Sequence, residues 1–297
     1  MELPVVNHPD YVAKINENSV FPIKKFSSLA NYLLQEKVVK NFYIPKECSV
    51  ETLSKSHSMD YIKHIKNKTL DKKSETRIGF PINDSVVKRS FLATGGTVLA
   101  SKLALEYKLA CNTAGGSHHA SFNNGAGYCV FNDVAVAANF LKFKKNIKKI
   151  LILDLDVHQG NGNSDIFKND KDIFTFSMHC KTNYPTKKSK SDLDIELSDG
   201  LEDRGYLKIL KENLFKLNKL NFDFIFYIAG VDVHFDDKLG KLKLTDDGIN
   251  LREKMVIENF YDKKIPLCGV LGGGYNKNFK KLIELHAMLH KNCAHLI

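Results

Sequence analysis

Residues 149–162 read Lys-Ile-Leu-Ile-Leu-Asp-Leu-Asp-Val-His-Gln-Gly-Asn-Gly. The apolar run at 150–153, with alternating β-branched isoleucines, has the length and composition of a strand buried on both faces, as in a parallel sheet. In open α/β proteins, ligands bind outside the carboxyl ends of such strands. This strand ends in Asp154, Asp156 and His158. Residues two apart on a strand share a face, so two carboxylates and an imidazole would crowd together there. Leaving them unpaired would be costly. A divalent metal is the simplest common partner for Asp156 and His158. The plain alternative is a strand-end carboxylate that caps the next helix, and the rest of the chain decides between the two.

Working outward, short apolar runs alternate with amphipathic segments, which is the βαβ pattern. Strands are expected at 109–113, 149–154, 173–178, 222–229 and 266–271. Helices are expected at 27–36, 59–66, 85–107, 132–143, 204–217, 245–260 and 278–289. The first 80 or so residues read as helices and loops without strand alternation. No internal repeat, low-complexity tract or linker divides the chain, so residues 1–297 are expected to form one domain.

Every expected strand end carries something unusual. The first leads to Gly115-Gly116-Ser117-His118-His119, the second to the Asp/His stretch and the third to His179. The fourth leads to Gly230-Val231-Asp232-Val233-His234, and the fifth to Gly272-Gly273-Gly274-Tyr275. In a parallel sheet these ends converge on one crevice.

The chemistry follows from the residue types. Asp156, His158 and Asp232 offer one nitrogen and two oxygen ligands, the layout of a catalytic zinc site with a position left for water. The same set suits Fe²⁺ and other first-row metals. Such a metal would lower the pKa of its water and polarise a carbonyl. Paired histidines can carry a proton from water to a leaving amine. Adjacent residues on a strand point to opposite faces, so His118 and His119 can share a pocket only from a turn, which Gly115 and Gly116 permit. A phenol at Tyr275 can donate to a developing oxyanion. Taken singly, the histidines read equally as loop residues and the tyrosine as structural. Their shared position at strand ends is what joins them.

Composition sets the outer bounds. With 43% hydrophobic and 26% charged residues, the chain has the profile of a soluble globular protein. No apolar run approaches the ~18 residues of a membrane span. No charged and apolar leader pattern opens the sequence, and a cytoplasmic location is expected. The six cysteines (48, 111, 129, 180, 268 and 293) form no Cys-x-x-Cys pair and suit neither a disulfide framework nor a structural zinc site. The net charge is +10, from 44 basic and 34 acidic residues. The lysines are dispersed and no nucleic-acid motif accompanies them, which speaks against direct nucleic-acid binding.

The ordered motifs Gly-Gly-Ser-His118-His119-Ala, Asp154-Leu-Asp156-Val-His158-Gln-Gly-Asn-Gly, Ala-Gly-Val-Asp232 and Gly-Gly-Gly-Tyr275 resemble those of the zinc-dependent histone deacetylase family. His8-Pro9-Asp10-Tyr11 and Phe21-Pro22-Ile23-Lys24-Lys25-Phe26 are similar to its N-terminal segment, so the likeness spans nearly the whole chain. His158-Gln159-Gly160-Asn161-Gly162 is most similar to the class IV branch.

The resemblance implies an arginase-like, three-layer α/β fold with an eight-stranded, mostly parallel sheet. It implies Zn²⁺-dependent hydrolysis of acyl-lysine, with the metal held by Asp156, His158 and Asp232. By the same likeness His119 is general base and then general acid. His118 is its electrostatic partner, oriented by Asp154, and Tyr275 polarises the carbonyl. A structural K⁺ is implied at Asp154, the hydroxyl of Ser177 and the carbonyls of Asp156, His158 and Met178; hard oxygen ligands suit it. Tyr128 and Tyr184 resemble the aromatic walls of the acyl-lysine tunnel, and Gly127 and Gly273 would let backbone approach the substrate.

Gln159 and Asn161 stand where the commonest family pattern has His and Asp. Asn161 is implied to partner His119, and a neutral amide supports an imidazolium less well than a carboxylate would. Ser117 stands where many relatives carry a larger residue, which raises a longer acyl group as a substrate. Two other readings stay open. One is a deacylase of a small acyl-amide such as an acetylated polyamine, which a basic rim would disfavour. The other is a catalytically silent acyl-lysine binder, against which His118, His119 and Tyr275 all argue. Acyl length, oligomeric state and metal identity are left open by the sequence.

Overall fold

A computed structural model describes residues 2–297. Seven strands form one sheet, all parallel, in the order β1-β2-β7-β6-β3-β4-β5. They are β1 (Val5–Val6), β2 (Leu109–Asn112), β3 (Ile150–Asp154), β4 (Ile173–Cys180), β5 (Leu193–Leu197), β6 (Phe224–Ile228) and β7 (Leu267–Val270). The expected eight strands are therefore seven, and "mostly parallel" becomes wholly parallel. The number eight came from family likeness, whereas the residues themselves had marked five.

The two strands that periodicity missed are both edge strands. β1 is two residues long and pairs Val5 with Cys111 and Val6 with Asn112. β5 reads Leu-Asp-Ile-Glu-Leu and is only half buried, so its acidic side chains hide it from an apolar-run search. The central β3 and β6 are buried at every position, as their unbroken apolar sequences require.

The main helices are α1 (Lys25–Gln35), α2 (Val50–Leu53), α3 (Met59–Asn67), α4 (Lys72–Ile78), α5 (Asp84–Tyr107), α6 (Asp133–Lys145), α7 (Asn161–Phe167), α8 (Asp203–Leu217), α9 (Asp246–Tyr261) and α10 (Phe279–Ala294). α5 packs on α6, while α1, α8, α9 and α10 pack in series on one another, so helices flank the sheet. Side-chain caps fix several starts. Asn132 accepts from the Ala135 N–H at 2.9 Å and Thr245 from the Gly248 N–H at 3.1 Å. α2, α4 and α7 are short and were not expected from the sequence.

β3 and β6 lie side by side, paired from Ile150–Phe224 to Asp154–Ile228. From β3 the chain moves to β4 on one side; from β6 it moves to β7 on the other. Adjacent strands whose connections diverge leave a crevice beyond their carboxyl ends. Asp156 and His158 follow β3, and Asp232 follows β6, so the topology delivers them to that crevice.

Candidate active site

The His pair enters the crevice from a turn held by a buried carboxylate. Asp133, in the first turn of α6, accepts from the Ser117 N–H at 2.8 Å, the Gly116 N–H at 3.1 Å and the Thr97 hydroxyl at 2.6 Å. The carbonyl of His118 accepts from the Gly162 N–H at 2.9 Å, tying the turn to the start of α7. Both imidazoles are buried, with ring centroids 4.1 Å apart.

Their partners differ. His118 Nδ1 lies 2.7 Å from Asp154 Oδ2, whereas His119 Nδ1 lies 2.7 Å from the amide oxygen of Asn161. Burial alone would lower the His118 pKa, but the Asp154 and Asp156 carboxylates outweigh it and lift the group to about 9. For His119, burial and the neighbouring His118 and His158 all push the same way, and its pKa falls well below the ordinary imidazole value. The two partners thus push neighbouring rings in opposite directions.

Asp156, His158 and Asp232 offer ligand atoms that all lie within 4.8 Å of one another, and all three side chains are buried. His158 Nδ1 faces Asp156 Oδ1 at 3.0 Å and Asp232 Oδ2 at 3.1 Å. Backbone N–H groups fix the outer oxygens: Gly273 N–H donates to Asp156 Oδ2 at 2.6 Å and Val157 N–H to Asp232 Oδ1 at 2.9 Å. Burial, with Asp156 alongside, raises the Asp232 carboxyl to about 7. Two carboxylates confined with one imidazole are in need of a cation, and the donor set fits a first-row divalent metal. Gly273 has to be glycine, because a Cβ there would sit 1.9 Å from Asp232 Oδ2.

Behind this group, the buried guanidinium of Arg252 on α9 donates to the carbonyl of Gly230 at 2.7 Å and that of Leu155 at 3.3 Å. It braces the loop after β3 against the loop after β6, which carry Asp156 and Asp232. Glu253, fully buried, is its ion-pair partner.

A cavity of about 420 Å³ opens onto these residues. His118, His119, Asp156, His158 and Tyr275 all line it, as do Gly127, Tyr128, Tyr184 and Gly273. Tyr275 is buried, its ring 6.0 Å from that of Tyr128 and 6.3 Å from that of Phe21. Burial first, and then Asp232 and Asp156, raise its phenol far above the ordinary value, so it stays a proton donor. Tyr184 stands edge-on to His119 at 4.8 Å and is half-exposed, which puts it at the mouth. Gly127 has φ 53, and a Cβ there would sit 2.6 Å from the His119 ring.

Asp232 is fully buried beneath this cavity. Asp154 pairs in register with Ser177, next to Met178, so three of the residues expected around K⁺ sit on adjacent strands, and Asp156 and His158 lie in the loop that follows β3. The Ser177 hydroxyl lies 2.9 Å from His179 Nδ1. Gln159 points away from the crevice, donating to the Ser189 carbonyl at 2.7 Å and to Asp194 at 2.8 Å; it braces a loop. Ser117 lines the cavity.

Sequence reasoning missed several wall residues. Phe26 and Arg89 line the cavity, with the Arg89 guanidinium 4.8 Å above the Phe26 ring. Lys25 is buried and donates to the Gly272 carbonyl at 3.1 Å. Arg77 and Leu239 lie at the mouth side. A cation inside an apolar helix pattern, as at Arg89 in α5, was the available signal.

Comparison with known proteins identifies relatives of this chain. The chain matches the histone deacetylase domain over residues 19–289. An uncharacterized protein of Picosynechococcus sp. is 45% identical, over 98% of this chain and 98% of its own. Histone deacetylase 2 of Arabidopsis thaliana is 30% identical over 89% of this chain and 71% of its own. A probable deacetylase of Archaeoglobus fulgidus is 30% identical over 78% and 68%. Among solved structures, the HDA15 HD domain superposes with a TM-score of 0.83 at 19% identity, covering 99% of this chain and 88% of that one, which speaks to the fold. With an all-parallel sheet, a buried Asp/His/Asp group and a matching domain over most of its length, the chain belongs to the histone deacetylase family of hydrolases.

Proposed function

We propose that this protein is a Zn²⁺-dependent deacylase that hydrolyses the amide of Nε-acyl-lysine, and that it falls in the class IV branch. The observation that carries the reading is the asymmetric histidine pair. His118 backed by Asp154 and His119 backed by Asn161 stand in one cavity with Tyr275 and a buried Asp/His/Asp group.

Asp156, His158 and Asp232 would hold the metal, which supplies Lewis acidity and a more acidic water when bound. His119 has its Nδ1–H committed to Asn161, leaving Nε2 free to take the proton of the attacking water. It then returns that proton to the departing lysine amine. His118, held cationic by Asp154, steadies the negative charge gathering on the carbonyl oxygen. Tyr275 donates its phenolic hydrogen to the same oxygen. Tyr128 and Tyr184 flank the apolar stem of the acyl-lysine. Asp154, Ser177 and the carbonyls of Asp156, His158 and Met178 would hold K⁺ beneath the His118 partner.

The test is turnover of an acyl-lysine peptide by purified protein, lost on chelation and restored by Zn²⁺, with Fe²⁺ compared in parallel. An acyl-chain series on the same peptide reads the consequence of Ser117. Absence of turnover with full metal loading would leave the silent-binder reading.

A further inference from the structure

We propose that the mouth of the cavity is built to accept an acyl-lysine presented beside a carboxylate and to turn away cationic acyl-amines, with Arg77 as the specificity-determining residue. This rests on the acyl-lysine reading above and goes beyond it in naming what must flank the scissile amide.

Arg77 lies in the last turn of α4 and lines the same cavity as Tyr128, Tyr184 and His119. It is exposed, and Glu75, the acid nearest to it on α4, is paired with Lys72 at 3.3 Å, so among the described residues the Arg77 guanidinium has no carboxylate partner. Its backbone is fixed, however. The Arg77 carbonyl accepts from the Gly127 N–H at 3.0 Å, and the Ile78 carbonyl from the Tyr128 N–H at 2.7 Å. The cation is therefore carried on a segment whose backbone is bonded directly to the tunnel wall beside Tyr128.

Two further lysines neighbour lining residues in the sequence or through the backbone. Lys188 donates to the Pro185 carbonyl at 2.6 Å, next to Tyr184. Lys238, exposed and without an ion-pair partner among the described residues, adjoins the lining residue Leu239. Among the described residues that line the cavity, the only carboxylate is Asp156, which belongs to the Asp/His/Asp group. Among the lining residues, a polyamine arriving with free ammonium groups would meet the guanidinium groups of Arg77 and Arg89 and no carboxylate outside the Asp/His/Asp group. A substrate carrying a carboxylate near the acyl-lysine would meet an unspent guanidinium with fork geometry suited to it. The carboxylate could be an Asp or Glu side chain of a peptide or the free α-carboxylate of a single acyl-lysine; the recognition chemistry is shared.

Exposed charge pairs are weak and screened by salt, so the expected effect is a ratio rather than a switch. Three acyl-lysine peptides of equal length, with Asp, Gly or Lys beside the acyl-lysine, are compared with free Nε-acetyl-lysine, its α-amide and N-acetylspermidine. The zinc-loaded wild-type protein is set against Arg77→Ala and Arg77→Glu. Wild type is expected to favour the Asp peptide over the Lys peptide by about three- to tenfold in kcat/KM, through KM, at low salt. The ratio should collapse towards unity in Arg77→Ala or in high salt, and invert in Arg77→Glu. Preference for free acetyl-lysine over its α-amide would identify the α-carboxylate as the source; equal rates would assign it to the side chain. Equal kcat/KM for the three peptides in wild type, or a ratio unmoved in Arg77→Glu, overturns the proposal. If no substrate turns over, the hydrolase reading fails on its own. Anisotropy of the fluorescently labelled Asp and Lys peptides then gives the same ratio as binding constants, and equal affinities sink the Arg77 assignment.

Discussion

His119 Nδ1 and the amide oxygen of Asn161 stand 2.7 Å apart, the same separation that joins His118 to the carboxylate of Asp154. The two contacts are alike in length and opposite in consequence, because only the carboxylate favours an imidazolium. Replacing Asn161 with Asp should raise the His119 pKa by about one to three units, as an opposite charge in contact does. His119 acts as a base only when unprotonated. The acid limb of the kcat/KM profile should therefore move to higher pH, with activity lost at acidities the parent tolerates. An acid limb that stays put in Asn161→Asp would show that His119 is not the group whose deprotonation limits the rate.

Tyr275 offers a cleaner excision. Its ring is held by contacts with Phe21 and Tyr128 that phenylalanine would keep, so Tyr275→Phe removes one hydroxyl and little packing. Loss of an oxyanion donor costs about 10²-fold or more in kcat. KM for an acyl-lysine peptide should change far less. Rates near those of the parent would take Tyr275 out of the chemistry.

The Asp/His/Asp group makes a prediction about metal rather than rate. Asp232→Ala leaves only Asp156 and His158, and two protein ligands rarely retain a catalytic metal. The purified variant, dialysed against trace Zn²⁺, should carry far less than one equivalent by elemental analysis, while the parent carries about one. Stoichiometric zinc in the variant would contradict the ligand assignment.

The parts of this site that could be read from the sequence are those tied to strand ends. Ile150–Leu153 is apolar throughout because β3 is covered on both faces, and this alone placed Asp154, Asp156 and His158 at the carboxyl edge. Asp232 and Tyr275 followed from β6 and β7 by the same logic. What could not be read depends on contacts between distant segments. Asp133 holds the Gly116–Ser117 turn from the next helix, and Arg252 reaches the Gly230 and Leu155 carbonyls from α9. Neither leaves a periodic trace, since Asp133 reads as an ordinary first-turn acid of α6 and Arg252 stands among other charged residues of α9, unlike Arg89 in the apolar α5. β1 escaped because two residues are too few to alternate, and β5 because Asp194 and Glu196 interrupt the apolar run of a half-buried edge strand.

His290 tests the energetics of burial away from the catalytic groups. Its Nδ1–H donates to the His286 carbonyl at 3.2 Å, while Nε2 has no partner among the described residues. Burial pushes its pKa down to about 4. In the unfolded chain the same ring titrates near ~6.5. Between these values the unfolded state binds the extra proton, so stability rises with pH across this window and is lost as pH falls from about 6.5 towards 4. The loss attributable to this one group is on the order of 3 kcal/mol once both values are passed. His57, also buried and also pushed to about 4, adds a parallel contribution, so the comparison has to be differential. Urea unfolding of the parent and of His290→Met should be measured at steps from pH 7 to pH 4. The stability of the variant relative to the parent should grow as the pH falls. A constant difference across that range would mean that His290 carries the same charge in both states, and that its burial is not what sets its protonation.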